Sequence, residues 1–294
     1  MNGQKRILVA TDFSEQGTKA FDAALALAVR NKAELHVIHA LEVALPLFEP
    51  YAVVIPADWI GEARRLAQEK LAKALAAVKA KGLSGTTHLG DVPAAHAIAE
   101  RARELSADLV VVGTHGHTGL KHVLLGSVAE RTVEYAPCSV WTVKGPRSGA
   151  ELRTIVVGSD FSPAGSEALV TAAAWARDAG AKLHLVHALQ IPTPLIAPYE
   201  VAIPEGVIEG ARREADRQLQ QAAKAVSGVS VTTELSTTPA HAALVDAAER
   251  VSADLIVTGS RGHTGFKHAL LGSVAERTLR YAPCSVLTVR KARS

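Results

Sequence analysis

Gly113-Thr-His-Gly116 is followed, nine residues later, by Gly126-Ser127, and the string returns as Gly259-Ser-Arg-Gly262, nine residues, Gly272-Ser273. Each copy follows a short apolar run and precedes a helical pattern, the layout of a loop that feeds a helix N-terminus. Glycine lets backbone approach an anion closely, and the N–H groups at the start of the next helix hold it. These residues suit phosphate binding, at two sites in one chain. No Gly-Lys-Ser/Thr closes the string, so it is not a Walker A loop, and it is not the G-x-G-x-x-G dinucleotide fingerprint. Without the lysine that reaches the outer phosphates, strong phosphoryl-transfer catalysis is not implied. A structural reading stands beside this one: Ser127-Val-Ala-Glu130 and Ser273-Val-Ala-Glu276 read as capping boxes, with the glycines only turning the chain.

Asp12 and Asp160 stand just past the first apolar run of each half. An Asp before Phe-Ser can contact a ligand, acting through Mg2+ or a hydroxyl because like charges repel. It can equally turn or cap the chain. Ser162-Pro163 reads as an N-cap followed by proline at the first helical position. Of the 12 histidines, His36, His39, His184 and His187 end the second strand of each half. His117, His122, His263 and His268 lie in or after the glycine string. No C-x-x-C or H-E-x-x-H occurs, so zinc has little support. His117, Lys121 and His122 either bring positive charge to a polyphosphate or are solvated loop residues. Cys138 and Cys284, one per half, make no disulfide framework and read as small buried hydrophobes.

The elements that must position these residues alternate cleanly. Apolar runs at 6–11, 34–40, 86–89, 108–112 and 139–143 read as strands. Helical periodicity covers 15–31, 58–81, 93–105 and 127–135, with Ala20, Phe21, Ala24, Leu27 and Ala28 as the first apolar stripe and Ile60, Ala63, Ala67, Leu71, Ala74 and Val78 as the second. The second half repeats this from Arg153 to Arg290, with 28 identities in the 37 positions that align 107–143 with 253–289. Strand–helix alternation predicts parallel sheets with helices on both faces, and ligands in such sheets bind outside the strand carboxyl ends. Asp12 and the Gly113 string both sit there, so they can converge. Residues 144–151, rich in Gly, Pro and charge, read as the linker. The long connections carrying Pro-Tyr-x-Val-x-Ile-Pro, at 50–56 and 198–204, read either as packing between the halves or as a lid or partner surface.

Composition narrows the classes. The 294 residues with 48% hydrophobic content suffice for a core in each half, built of Ala, Val and Leu because aromatics are only 4%. A net charge of +3 with no Lys/Arg stripe argues against nucleic acid. No N-terminal apolar segment or run approaching ~18 apolar residues appears, so a cytoplasmic protein without a membrane partner is expected.

The segments A-T-D-F-S around Asp12, H-V-I-H from His36 and G-T-H-G-H-T-G-L-K-H-V-L-L-G-S-V-A-E from Gly113 resemble the universal stress protein family. The likeness spans both halves, as in a tandem member. In that family G-x2-G-x9-G-S/T marks the ATP-binding branch, and both halves keep it. The resemblance implies two Rossmann-like (adenine nucleotide alpha hydrolase-like) domains, 1–145 and 151–294. Each would be a five-stranded parallel sheet of order 3-2-1-4-5 with helices on both faces. It implies ATP with Mg2+ as the ligand. Ala10, Thr11 and Asp12, with Ser159 and Asp160, would lie by the ribose or the phosphate–metal end. Val37 and Leu185 would line the adenine slot, Leu185 narrowing it. Val112, Gly113, Gly116, His117, Gly126, Ser127 and Val128 would hold ribose and phosphates, as would Thr258, Gly259, Gly262, His263, Gly272, Ser273 and Val274. Arg261 replaces His115, and Ser236-Thr237-Thr238-Pro239 replaces Gly90-Asp91-Val92-Pro93, so the sites are expected to differ. The family's last strand pairs across a two-fold, which implies an internal pseudo-dimer of the halves and allows a homodimer. The implied function is a nucleotide-responsive stress regulator. A slow ATPase or autophosphorylating enzyme and a nucleotide-independent dimerising scaffold are the alternatives.

Overall fold

The computed structural model describes residues 6–41, 57–114, 125–145, 151–190, 205–260 and 271–290. The chain divides into two compact units between Ala150 and Glu151. In the first unit the elements run β1 (Arg6–Ala10), α1 (Glu15–Asn31), β2 (Glu34–Ala40), α2 (Ala57–Ala80), β3 (Thr87–Gly90), α3 (Ala94–Glu104), β4 (Leu109–Gly113), α4 (Ser127–Tyr135) and β5 (Ser139–Val143). Its strands lie in the order β3-β2-β1-β4-β5, and every pairing is parallel. This is the order that the resemblance implies.

Parallel strands covered on both faces need apolar residues at every position rather than at alternate ones. Ile7, Leu8 and Val9 of β1 and Leu109, Val110 and Val111 of β4 are accordingly all buried. Moving from β1 to β2 to β3 steps outward on one side of β1, and β4 and β5 step outward on the other. Right-handed crossovers then place α1 and α2 on one face and α3 and α4 on the opposite face. The direction of stepping reverses between β1 and β4, which opens a crevice at their carboxyl ends.

The second unit repeats the plan with β6 (Thr154–Gly158), α5 (Pro163–Ala179), β7 (Lys182–Ala188), α6 (Glu205–Lys224), β8 (Val231–Ser236), α7 (Ala240–Arg250), β9 (Leu255–Gly259), α8 (Ser273–Tyr281) and β10 (Ser285–Val289). Its order is β8-β7-β6-β9-β10, again all parallel. Ser162 caps α5, with Pro163 opening the helix, as the sequence predicts. Cys138 and Cys284 are buried and form no disulfide. Among the described residues no helix is long and apolar enough to cross a membrane.

Candidate functional site

Each unit has a cleft at the carboxyl ends of its central strands. In the first it takes in Ala10–Asp12 after β1, Ile38–Ala40 of β2, Val112–Thr114 of β4, Ala94 and Ile98 of α3, Gly17 of α1 and the start of α4. It encloses about 720 Å³ of space, part of it open solvent. The second cleft, of about 700 Å³, uses the equivalent positions Gly158–Asp160, Val186, Ala188, Thr258, Gly259, Ala240, Leu244 and Gly165 with the start of α8.

The turn after β1 is built by side chains that bond to backbone. Thr11 Oγ1 accepts from Phe13 N at 3.0 Å, and Asp12 Oδ1 accepts from Ser14 N at 3.0 Å and from Ser14 Oγ at 2.6 Å. Ser14 Oγ in turn accepts from Gly17 N at 3.1 Å, capping α1. The second unit copies this: Asp160 Oδ1 accepts from Ser162 N and Oγ at 3.0 and 2.5 Å, and Ser162 Oγ accepts from Gly165 N at 3.1 Å. The local role weighed for Asp12 and Asp160 therefore occupies Oδ1 of each. Phe13 and Phe161 sit at φ 63° and 59°, a left-handed backbone that non-glycine residues rarely adopt. Each ring packs on a histidine of the next strand, Phe13 on His39 at 4.7 Å and Phe161 on His187 at 4.3 Å. His39 Nδ1 bonds Thr11 O at 2.8 Å and His187 Nδ1 bonds Ser159 O at 2.8 Å. A carbonyl only accepts, so Nδ1 carries the proton in both rings.

The start of α4 differs from the sequence expectation. The N-cap is Gly126, at φ −74° and ψ 144°, with no side-chain capping bond, and Ser127 is the first helical residue. Gly126 O accepts from Glu130 N at 3.1 Å, and Gly126 N donates to Thr114 O at 2.7 Å. At α8, Gly272 is the cap, again without a side-chain bond. The capping boxes are thus corrected. The backbone bonds made by each glycine start the helix one residue earlier, which moves the serine hydroxyl off the cap position. The first-turn N–H groups of Ser127, Val128 and Ala129, and of their counterparts, open onto the clefts without a side-chain cap. Val128 and Val274 stand at the cleft walls 38% exposed.

Val37 and Leu185 stand apart from the cleft walls. Both are fully buried, paired in register with Val9 and Val157, and line neither cleft. Side chains alternate along a strand, and the apolar wall falls to Ile38 and Ala40 in one unit and Val186 and Ala188 in the other. Of the remaining expected residues, Ala10, Thr11, Asp12, Val112, Gly113, Gly126, Ser127 and Val128 come together in the first cleft. Ser159, Asp160, Thr258, Gly259, Gly272, Ser273 and Val274 come together in the second. Gly116, His117, Gly262 and His263 lie outside the described residues, as do Lys121, His122, His268, Arg261 and the segments 50–56 and 198–204. Gly113 also has a packing duty, since a Cβ there would stand 3.0 Å from Gln16 O; at Gly259 the neighbour is Ala164 O at 3.1 Å. Among the described residues no group of three or more His, Cys, Asp or Glu is placed to hold a metal.

Sequence reasoning missed Gly17 and Gly165, where a Cβ would meet the Asp12 and Asp160 carboxylates at 2.5 and 2.6 Å. It also missed the α3 and α7 contributions, Ala94 and Ile98 with Ala240 and Leu244. Their signal was an apolar first turn following Pro93 and Pro239.

The family model of the Universal stress protein family matches residues 4–144 and again 151–290. The chain is 33% identical over 145 residues to universal stress protein YxiE of Bacillus subtilis, covering 47% of this chain and 98% of that protein. It is 34% identical over 151 residues to universal stress protein MJ0531 of Methanocaldococcus jannaschii, covering 50% of this chain and 85% of that protein. A crystal structure of a universal stress protein from Archaeoglobus fulgidus superposes with TM-score 0.71 at 21% identity, covering 99% of this chain and 97% of that one. A parallel α/β unit with a crevice at its switch point, present twice, is the class that the fold defines. The chain belongs to the universal stress protein family, with two family units in tandem.

Proposed function

We propose that each cleft binds ATP with Mg2+ and that the chain is a nucleotide-responsive regulator, its two halves acting as an internal pseudo-dimer. The observation that carries this reading is the pair of glycine-capped helix starts, at Gly126 and Gly272, which open onto clefts without a side-chain cap. Such helix starts favour an anion by their N–H groups and by the helix dipole. Facing them, Ile38, Ala40, Ala94 and Ile98 offer an apolar slot suited to a flat base. One carboxylate per cleft, Asp12 or Asp160, fits Mg2+, which keeps most of its waters and takes one or two carboxylates plus phosphate oxygens. The cation would offset repulsion between that carboxylate and the phosphates. A regulator needs ligand to favour one of two states.

The test is calorimetry with ATP–Mg2+ on the wild type and on the double variant Ser127→Asp, Ser273→Asp. An acidic residue in a helix first turn is favourable by about 0.3–1 kcal/mol, so the variant is expected to stay folded with an unchanged or slightly raised Tm. It should lose nucleotide because the new charges face the phosphates. Undiminished binding in the folded variant overturns the assignment.

A further inference from the structure

Beside the first cleft, the seam between β2 and β3 holds a cluster that the nucleotide reading leaves unused. His36 is only 6% exposed, and its Nδ1 lies 2.8 Å from Thr86 Oγ1. The same hydroxyl lies 2.8 Å from His88 Nε2, with the two rings 6.0 Å apart. One hydroxyl carries one proton. It donates to one imidazole and accepts from the other, which leaves His36 Nε2 buried without a hydrogen bond among the described residues. His36 Nε2 has the exposed Glu34 carboxylate at 3.4 Å. Arg101 of α3 adds positive charge beside His88 while pairing with Glu104 at 2.6 Å, and Arg6 of β1 adds positive charge near His36. Burial first, then the charges of Arg101 and His36, pushes His88 down to about 4. Burial chiefly, against the pull of Glu34, holds His36 below the ordinary histidine value.

The second unit keeps this frame and replaces one histidine. Thr86 and His88 correspond to Thr232 and Glu234. His184 Nδ1 lies 2.7 Å from Thr232 Oγ1, and its Nε2 lies 2.8 Å from Glu234 Oε2. Arg250 of α7 pairs with the same carboxylate. Burial pushes Glu234 up, but the bonds from His184 and Arg250 outweigh it and hold the carboxyl below its usual value. His184 thus faces a carboxylate, whereas His88 faces another imidazole and an arginine.

The cluster underlies the cleft wall. His36, Ile38 and Ala40 share one face of β2 by alternation, and the latter two line the cleft, as does Ile98 one turn before Arg101. We propose that the first cleft is acid-sensitive and the second acid-resistant: acidification loosens β2, β3 and α3, and with them the wall that holds the ligand, while the matching wall of the second unit stays closed. The ligand part rests on the nucleotide reading; the seam does not. The sign follows from linkage. Both histidines bind protons more weakly in the folded unit than in an open chain, so the open form takes up more protons as pH falls. Stability contributed by the seam is therefore present above the ordinary histidine pKa of about 6.5 and is lost as pH falls from there toward 4.

Hydrogen exchange on the full chain, with rates corrected for intrinsic pH dependence, tests this. Between pH of about 7.5 and 4.5, protection over 34–41 and 86–90 should fall about tenfold or more relative to 182–189 and 232–236. His88→Glu should abolish the difference, and Glu234→His should bring the loss into the second unit. Parallel loss in both units overturns the proposal, as does a loss that survives His88→Glu. If His88→Glu does not fold, Glu234→His decides alone: no new acid sensitivity in the second unit overturns it. Calorimetry with ATP–Mg2+ at the same pH values reads the ligand part. One of two sites should weaken first. Loosening of the seam with both sites undiminished overturns that part, whereas no binding at any pH overturns the nucleotide reading and leaves the exchange result standing.

Discussion

At Gly17 a single hydrogen decides the turn beneath Asp12. A Cβ there would stand 2.5 Å from Asp12 Oδ1 and 2.9 Å from Thr11 Oγ1, whereas at Gly61 of α2 it would meet nothing within 4 Å. The same substitution should therefore act in opposite directions. Gly61→Ala is expected to stabilise by about 0.5–1 kcal/mol, the helix preference for alanine. Gly17→Ala must displace a carboxylate that two bonds from Ser14 hold in place, and overpacking of this kind costs about 1–3 kcal/mol. Urea unfolding of both variants checks the pair, and a stabilised Gly17→Ala would show that the Asp12 turn yields freely. Neither effect is legible in the sequence. Both glycines look like helix interruptions, and only the distance to a neighbouring element separates them. Val37 shows the same limit. Its strand was plain, but which of two adjacent residues faces the cleft depends on register with β1 and on the helix overhead, which the apolar run conceals because both faces are buried.

The helices divide into two kinds by how they start. α1 and α5 are closed by serine side chains, Ser14 and Ser162, that accept from Gly17 N and Gly165 N. α4 and α8 begin at glycines that bring no side chain. Removing the capping hydroxyl in Ser14→Ala or Ser162→Ala should cost about 0.5–2 kcal/mol. Ser127→Ala and Ser273→Ala have no capping bond to lose and should leave stability within about 0.5 kcal/mol, the range of an ordinary surface change. Denaturant midpoints of the four single variants make the comparison, and a large loss at Ser127 would restore the capping-box reading. Serine before an amphipathic run announced the starts of α4, α5 and α8. The sequence did not separate a serine at the cap from one a residue inside, because the distinction lies in backbone angles at Gly126. A parallel sheet with helices on both faces was legible through alternation, whereas its strand order came through the resemblance, because alternation alone does not fix which strands are neighbours.

One chain carries two copies of a unit that in relatives such as YxiE accounts for nearly the whole protein, 98% of it being matched by about half of this chain. Each unit here has its own five parallel strands and its own buried apolar strands, Ile7–Val9 and Leu109–Val111 in one, Ile155–Val157 and Leu255–Val257 in the other. A unit with a complete core should fold when severed from its twin. Fragment 1–145 is expected to unfold in one cooperative urea transition, with a slope about half that of the full chain because the slope follows the surface exposed. Its sheet ends on β5, whose Val140, Trp141 and Val143 are buried in the full chain. An end strand of this composition invites pairing, and a second copy of the fragment is the partner that the proposed pseudo-dimer predicts. Light scattering of the fragment should therefore report a dimer at micromolar concentration, and a strictly monomeric, folded fragment would remove the pseudo-dimer while leaving both clefts as they are. Duplication within one chain has a further consequence. Two separate copies of one gene product must share every substitution, whereas the halves of a tandem chain can diverge independently. Glu234 in place of His88 and Thr258 in place of Val112 are divergences of that kind, and they give a single molecule two clefts that need not respond to the same conditions.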